Sequence, residues 1–473
     1  MKLKSINPYN NDVISEFDEF NDKEIEQVLV SSRKTFTSWK NTGFDERAKL
    51  MRNVASLLRK DTLKYARTIT MEMGKTIKEA KAEVEKCAWV CEYYADNAKI
   101  MLHREAVATD ADLSYIRYDP IGPVLGIMPW NFPFWQVFRF AAPTVMAGNT
   151  VLLKHASNVQ NCAKDIEFIF REAGFPEGVF SNLVISSSKV KQVIENNIVK
   201  AITLTGSDAA GSNVAETAGR NIKKTVLELG GSNAFIVLGD ADLNEAAKTG
   251  VRARMMNGGQ SCIAAKRFIL LETIAQPFIQ LLQSNITALK TGDPLEEETD
   301  IGPLATVQQA KLLEDQVKRS VAAGAEILTG GNRRGAFFDP TILTDVKPGM
   351  PVFDEEVFGP VAPIIIVKTE EEAIELSNTS SYGLGATVFT NSIEKADYFV
   401  NRIEDGSVFI NEFVKSDPRL PFGGTKRSGY GRELSLNGIR EFVNVKTVFM
   451  KHYGEMKQTN AKNNTEVDIS VGS

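Results

Sequence analysis

Cysteine is scarce. The 473-residue chain has four, Cys87, Cys91, Cys162 and Cys262, too few for a disulfide framework in a protein of this length. Histidine is scarcer, with only His103, His155 and His452, and no CxxC motif occurs, so no metal site is expected. No uninterrupted apolar run approaches the ~20 residues of a membrane-spanning helix, and the opening MKLKSINPYNND has no apolar core of a secretory leader. Basic charge is not in excess: 55 Lys and Arg stand against 60 Asp and Glu, a net charge of −5, with both signs mixed along the chain. That balance excludes a nucleic-acid footprint and a polybasic membrane patch. Any anionic ligand must find local positive charge. Internal repeats are also missing. Together these absences point to a reducing, cytoplasmic setting.

What is present is ordinary globular material, 43% hydrophobic and 24% charged, in a chain long enough for two or three domains. Residues 22–103 repeat apolar positions every three or four residues and predict helices, with Asp45 and Asp61 as N-cap candidates. SYIRYDPIG alternates as a strand. From there short apolar strands (124–130, 150–154, 201–205, 225–231, 233–238) alternate with helices (134–147, 158–174, about 209–219). This is the pattern of a parallel α/β sheet with crossover helices. A second α/β stretch runs from 242 to about 430, and 443–450 predicts a last strand. Residues 457–473 are polar and aperiodic and predict disorder.

Three motifs carry chemistry. NGGQSC (257–262) places Cys262 in a Gly-rich polar loop, where access and nearby dipoles suit a nucleophilic thiol. Cys87, Cys91 and Cys162 sit in apolar-periodic segments and read as buried packing residues. VLELGGSN (226–233) sets Glu228 between leucines, where desolvation raises a carboxyl pKa toward general-base use; a strand-end glutamate turned to solvent is the alternative. PWNFP (129–133) holds Asn131 between prolines, as an oxyanion donor or as a plain turn asparagine. A nucleophile, a base and an oxyanion donor make a minimum set for acyl chemistry at a carbonyl.

These blocks, with TGSDAAG, EEVFGPV and PFGGTKRSGYGRE, resemble the aldehyde dehydrogenase family from Asn7-Pro8 to about residue 452. The resemblance implies an α/β aldehyde dehydrogenase fold. It has a Rossmann-like dinucleotide-binding domain (1–105 and 119–229), an α/β catalytic domain (230–430), and an oligomerisation arm with a C-terminal segment (106–118 and 431–455), followed by a tail (456–473). It implies Cys262 as nucleophile, Asn131 and the Cys262 N–H as oxyanion hole, and Glu228 as activator of the deacylating water. Glutamate at 228 favours hydrolysis to a free acid over acyl transfer to a thiol cofactor. A homodimer or homotetramer is implied through the 111–118 and 443–450 strands.

For the cofactor, TGSDAAG departs from GxGxxG, yet Gly206, Ser207 and Gly211 lie at a strand-to-helix turn whose N–H groups suit a pyrophosphate. By resemblance, Trp130, Leu229, Glu356 and Phe358 belong to the nicotinamide end, and Lys154 and Ser157 to the adenosine ribose. NAD-preferring relatives often carry glutamate at the position of Ser157, and that carboxylate repels a 2′-phosphate. NADP is therefore expected to be preferred, with NAD accepted. His155 replaces a usual proline.

For the substrate, the resemblance points to members acting on semialdehydes, succinate semialdehyde first, with glutarate semialdehyde or another small aldehyde as the alternative. Arg139 lies two helical turns beyond Asn131 and can grip a carboxylate; a structural ion pair is the competing role. Trp135 walls the channel, and Ser416 adds a carboxylate contact. Two family features are missing: Met256 stands where some semialdehyde dehydrogenases have a second arginine, and Ala264 stands where some have a second cysteine. Arg254 is close in sequence to Met256, in a direction the sequence leaves open. Lys266 and Arg267 read as anchors of the segment after the nucleophile.

Overall fold

A computed structural model describes residues 2–451; the 456–473 tail lies outside them. Four helices open the chain after a short N-terminal hairpin: Asp22–Trp39, Phe44–Lys60, Thr62–Met73 and Ile77–Met101. The last of these buries Ala80, Val84, Cys87, Cys91 and Tyr94, so the two cysteines one turn apart share its core face. One cap expectation is corrected and the other holds in position. The second helix is capped by Gly43, and Asp45 lies inside its first turn. Asp61 holds the cap position of the third helix but makes no side-chain cap bond. Acidic residues suit both the cap and the first turn, because both face the positive end of the helix dipole, so residue type does not separate the two positions.

Two large sheets follow. The first has six strands in the order Gly429–Tyr430, Lys224–Glu228, Ala201–Thr205, Pro123–Met128, Thr150–His155 and Phe180–Asn182. All are parallel except the two-residue edge at Gly429–Tyr430, which arrives from far along the chain. Chain order reverses between Pro123–Met128 and Ala201–Thr205, which opens a crevice at the carboxyl ends of those neighbours. The strand Ala201–Thr205 is buried throughout, as an apolar run in a sheet covered on both faces requires.

The second sheet has seven strands, in the order Glu326–Thr329, Thr341–Thr344, Val361–Val367, Ala265–Leu271, Asn233–Val237, Ala386–Phe389 and Val408–Ile410. It is parallel except at the Glu326–Thr329 edge. Apolar clusters cover both faces. A third, antiparallel sheet has Leu113–Pro120 between Val443–Met450 and Glu105–Ala106, and Leu113, Val445 and Phe449 on it are exposed. No helix among the described residues is long and apolar enough to cross a membrane.

Candidate active site

The helix Leu243–Met255 ends in three successive left-handed residues, Asn257, Gly258 and Gly259, with φ of 56°, 59° and 75°. A β-carbon on Gly259 would lie 2.3 Å from the Gly359 carbonyl, so glycine is required there. This turn delivers Cys262. It is tied to the PWNFP turn from both sides. Asn257 Nδ2 donates to the carbonyl of Asn131 (2.7 Å), and Asn131 Nδ2 donates to the carbonyl of Gln260 (2.9 Å). Gln136 donates to Asn131 Oδ1 (3.1 Å), which fixes the amide orientation and leaves one Asn131 N–H unused.

His155 holds the same turn from the next strand. Its Nε2 donates to the Pro133 carbonyl (2.8 Å) and its Nδ1 accepts from the Ala156 N–H (2.9 Å), a tautomer assigned from this network. Burial lowers its pKa to about 4, so the ring is neutral. The histidine that stands in place of proline is therefore a strut beneath the asparagine.

Cys262 is part-buried while the other three cysteines are fully buried, and all four are free. Burial pushes its thiol up to about 11, against the pull of the Lys266 and Arg139 cations. Lys266 lies beneath the loop. It donates to the carbonyls of Gly231 (2.6 Å) and Cys262 (3.1 Å) and pairs with Glu356, whose other contact is the Gly231 N–H (3.0 Å). Glu228 is buried, and neither of its carboxyl oxygens has a hydrogen-bond partner. Burial first, then Glu433, raises its pKa well above the ordinary range.

Two cavities meet at the thiol. One, of about 230 Å³, is lined by Trp130, Asn131, Gly206, Ser207, Leu229, Gly230, Glu356, Phe358 and Cys262. Its wall comes from the carboxyl ends of the first sheet and from loops of the second. Trp130 and Phe358 meet edge to face at 5.8 Å. The other, of about 260 Å³, is lined by Lys86, Trp135, Arg139, Met256, Phe413, Ser416, Phe422 and Cys262. Gln136 and Cys262 belong to both.

Several sequence-based candidates stand apart. Glu228 lines neither cavity; its carboxyl packs against Gly423, beside Glu433. Lys154 and Ser157 lie beyond the first cavity, at the end of the next strand, where Lys154 is buried and its pKa is lowered by burial alone. Gly211 works by packing: a β-carbon there would meet Leu229 at 2.7 Å, so glycine lets the helix Asp208–Arg220 sit against the sheet. Arg139 lines the second cavity and also takes the competing role, pairing with buried Glu433 and donating to Thr205 Oγ1 (3.2 Å). Arg254, whose direction the sequence left open, is fully buried and spends its guanidinium on the carbonyls of Ala265, Gly259, Val357 and Gly359. Sequence reasoning missed Lys86, Gln136 and Glu433. Lys86 and Glu433 act across long chain separations and carry no local signal, whereas Gln136 acts on Asn131 only five residues away.

The first cavity, with Lys154 beyond it, offers groups suited to a dinucleotide. Ser207 caps the helix Asp208–Arg220 through Ala210, so a helix N-terminus faces the crevice. Gly230 leaves room beside Glu356, where a β-carbon would lie 2.6 Å from Oε2. Buried Lys154 makes no ion pair among the described residues and offers a cation to a phosphate or ribose.

Comparison with known proteins places this geometry. The chain is 49% identical over 453 residues to the probable succinate-semialdehyde dehydrogenase (NADP+) of Synechocystis sp., covering 95% of this chain and 100% of that protein. It is 45% identical to succinate-semialdehyde dehydrogenase (NADP+) 1 of Mycobacterium tuberculosis, with the same coverage. The crystal structure of succinic semialdehyde dehydrogenase from Streptococcus pyogenes in complex with NADP+ superposes with a TM-score of 0.93 at 41% identity, over 95% of this chain and 100% of that one. The model of the aldehyde dehydrogenase family matches residues 1–448, and the chain belongs to that family.

Proposed function

We propose that the protein oxidises succinate semialdehyde to succinate with NADP+ as preferred cofactor, and that NAD+ is accepted less well. The observation that carries this reading is Cys262 on the wall between a cavity lined by Ser207, Glu356 and Phe358 and a cavity lined by four cations, Lys75, Lys86, Arg139 and Lys415. The relatives support the substrate and the cofactor through their names. Ser157, part-buried and neutral after the strand Thr150–His155, supports tolerance of a 2′-phosphate.

In this reading Cys262 Sγ bonds to the aldehyde carbon. The free N–H of Asn131 and the Cys262 N–H stabilise the oxygen that gains charge. A thiol pushed up to about 11 needs a base, and Glu228, whose carboxyl is raised by burial and by Glu433, serves as that base once it has lost its own proton. A bound nicotinamide supplies the hydride acceptor. Water then attacks the thioester, releasing the acid and restoring the thiol. Glu228 must rotate away from Gly423 and Glu433 to reach that water. Glu356, held by Lys266 and the Gly231 N–H, presents its carboxylate to the first cavity, in position for a ribose.

We also assign 1–105 with 119–229, 230–430, and 106–118 with 431–455 to dinucleotide binding, catalysis and oligomerisation. A homodimer or homotetramer through the exposed antiparallel sheet is supported by its uncovered Leu113, Val445 and Phe449. Four free cysteines support a reducing, cytoplasmic setting. The test is kcat/KM for succinate semialdehyde, glutarate semialdehyde and butanal, each with NADP+ and NAD+. Succinate semialdehyde with NADP+ should rank first. A higher value for butanal overturns the substrate, and a higher value with NAD+ overturns the cofactor preference. One methylene is worth only ~1–3 kcal/mol, so glutarate semialdehyde should trail by a modest factor.

A further inference from the structure

The aldehyde-side cavity contains a cluster of hydrogen-bond donors gathered on Ser416. Ser416 Oγ accepts from Lys86 Nζ (2.9 Å) and from Trp135 Nε1 (3.0 Å). Both lone pairs of that hydroxyl are then used, and its own proton remains to be donated. Lys86 keeps two further N–H groups, lies 4.2 Å over the Trp135 ring, and makes no ion pair among the described residues. Of the other cations lining this cavity, Lys75 is paired with Glu83, Lys415 with Glu412, and Arg139 with Glu433.

We propose that Lys86, together with the hydroxyl of Ser416, is the principal carboxylate-binding and specificity-determining group of the aldehyde cavity, while Arg139 contributes charge from a position locked to Glu433. This rests on the semialdehyde reading given above. An ionised carboxylate is the acceptor that this donor set lacks: it takes one bond from the ammonium and one from the hydroxyl, and it neutralises the unpaired charge. Lysine suits the place because a compact ammonium can turn from Ser416 toward a ligand without a planar fork having to be aligned.

The location also makes the grip sensitive to pH. Burial first, then Arg139, lowers the Lys86 ammonium to about 8. The other charged or titratable groups facing it are Glu83 and Cys87 on its own helix and Asp417 beside Ser416, all of which act the other way. Lys86 is therefore cationic at neutral pH and loses its charge as pH rises through about 8. Preference for a carboxylated aldehyde should fall over that interval.

The experiment measures the ratio of kcat/KM for succinate semialdehyde to that for butanal, from about pH 7 to about pH 9, in the wild type, Lys86→Met, Lys86→Arg and Arg139→Met. A ratio cancels the titration of Cys262, which both substrates share. In Lys86→Met the ratio should fall by about tenfold to a hundredfold at neutral pH, through KM, as expected for loss of a charged hydrogen bond. In Lys86→Arg much of the ratio should return, and its decline near pH 8 should vanish. A wild-type ratio that stays flat from about pH 7 to about pH 9 overturns the proposal even where the Met variant fails to fold. So does a wild-type preference that survives in Lys86→Met and collapses in Arg139→Met, which assigns the carboxylate to Arg139. A wild type with no preference over butanal at any pH overturns the semialdehyde reading itself, and that outcome is distinct from the other two.

Discussion

In the proposed reading, Ser157 sets the charge at the adenosine end by what it lacks. It follows the strand that carries Lys154, and among the described residues Lys154 has no carboxylate partner. Ser157→Glu places an anion on this turn, which would attract the Lys154 ammonium and repel a 2′-phosphate. The ratio of kcat/KM with NADP+ to that with NAD+ should fall by about tenfold or more, the effect of a like charge beside a phosphate; an unchanged ratio assigns cofactor choice to other groups. His155 gives a second single-residue test. Its pKa lies at about 4 in the folded chain, against an ordinary value of 6.5. The unfolded chain binds the extra proton between those values, so this residue's contribution to stability is fully present above pH 6.5 and is lost as pH falls toward about 4. The loss is on the order of 3 kcal/mol for a shift of this size. His155→Gln cannot titrate, so between about pH 6.5 and about pH 4.5 its Tm should decline less steeply than that of the wild type. Parallel declines would show that the ring does not report the buried environment.

At the scale of the element, the helix Trp135–Met146 carries Trp135, Gln136 and Arg139 into the site, and all of its residues are buried. Its N-terminus is held by Glu83, whose Oε1 accepts from the N–H groups of Phe134 and Trp135 (2.9 Å each), while Oε2 pairs with Lys75. Lys75 is fully buried, with its ammonium 3.7 Å from the centre of the Phe132 ring. Glu83→Gln leaves that cation without its anion, which typically costs about 3–5 kcal/mol. Urea unfolding should show a loss of that order, and adding Lys75→Met should recover much of it. If the single variant is as stable as the wild type, the pair is not what holds the helix. The helix itself was legible in the sequence, because a largely apolar stretch between PWNFP and Gly148, interrupted only by Gln136, Arg139 and Thr144, leaves few alternatives. So were Ala201–Thr205 and the turn that follows it. The partners of the helix were not. Glu83 reads as one more charge on a long amphipathic helix, and Arg139 reads as a free cation until Glu433 arrives from the far end of the chain. The same limit explains Lys86. Sequence periodicity reports which face of a helix is buried, whereas a hydroxyl on a distant loop decides what a lysine on that face can bind.

At the scale of the whole molecule, the first cavity is a seam. Trp130, Asn131, Gly206, Ser207, Leu229 and Gly230 come from loops at the carboxyl ends of the six-stranded sheet. Cys262 and Glu356 precede strands of the seven-stranded sheet, and the Lys266 that pairs with Glu356 lies on one of them. A dinucleotide in this cavity therefore touches both bodies at once, and its binding energy opposes their separation as well as the unfolding of either. Under mass action, cofactor at about a hundred times its Kd stabilises the native state by about 2.7 kcal/mol. Calorimetry should show NADP+ raising the entire unfolding transition, components from both sheets included, with NAD+ at the same concentration raising it less. Glu356→Gln weakens the tie to Lys266 and the seven-stranded side. In that variant, the part of the transition belonging to the six-stranded body should keep most of its shift while the rest loses it. A cofactor shift confined to one component in the wild type would mean that the two bodies open independently. The seam could not then hold the thiol and the dinucleotide in register through a catalytic cycle.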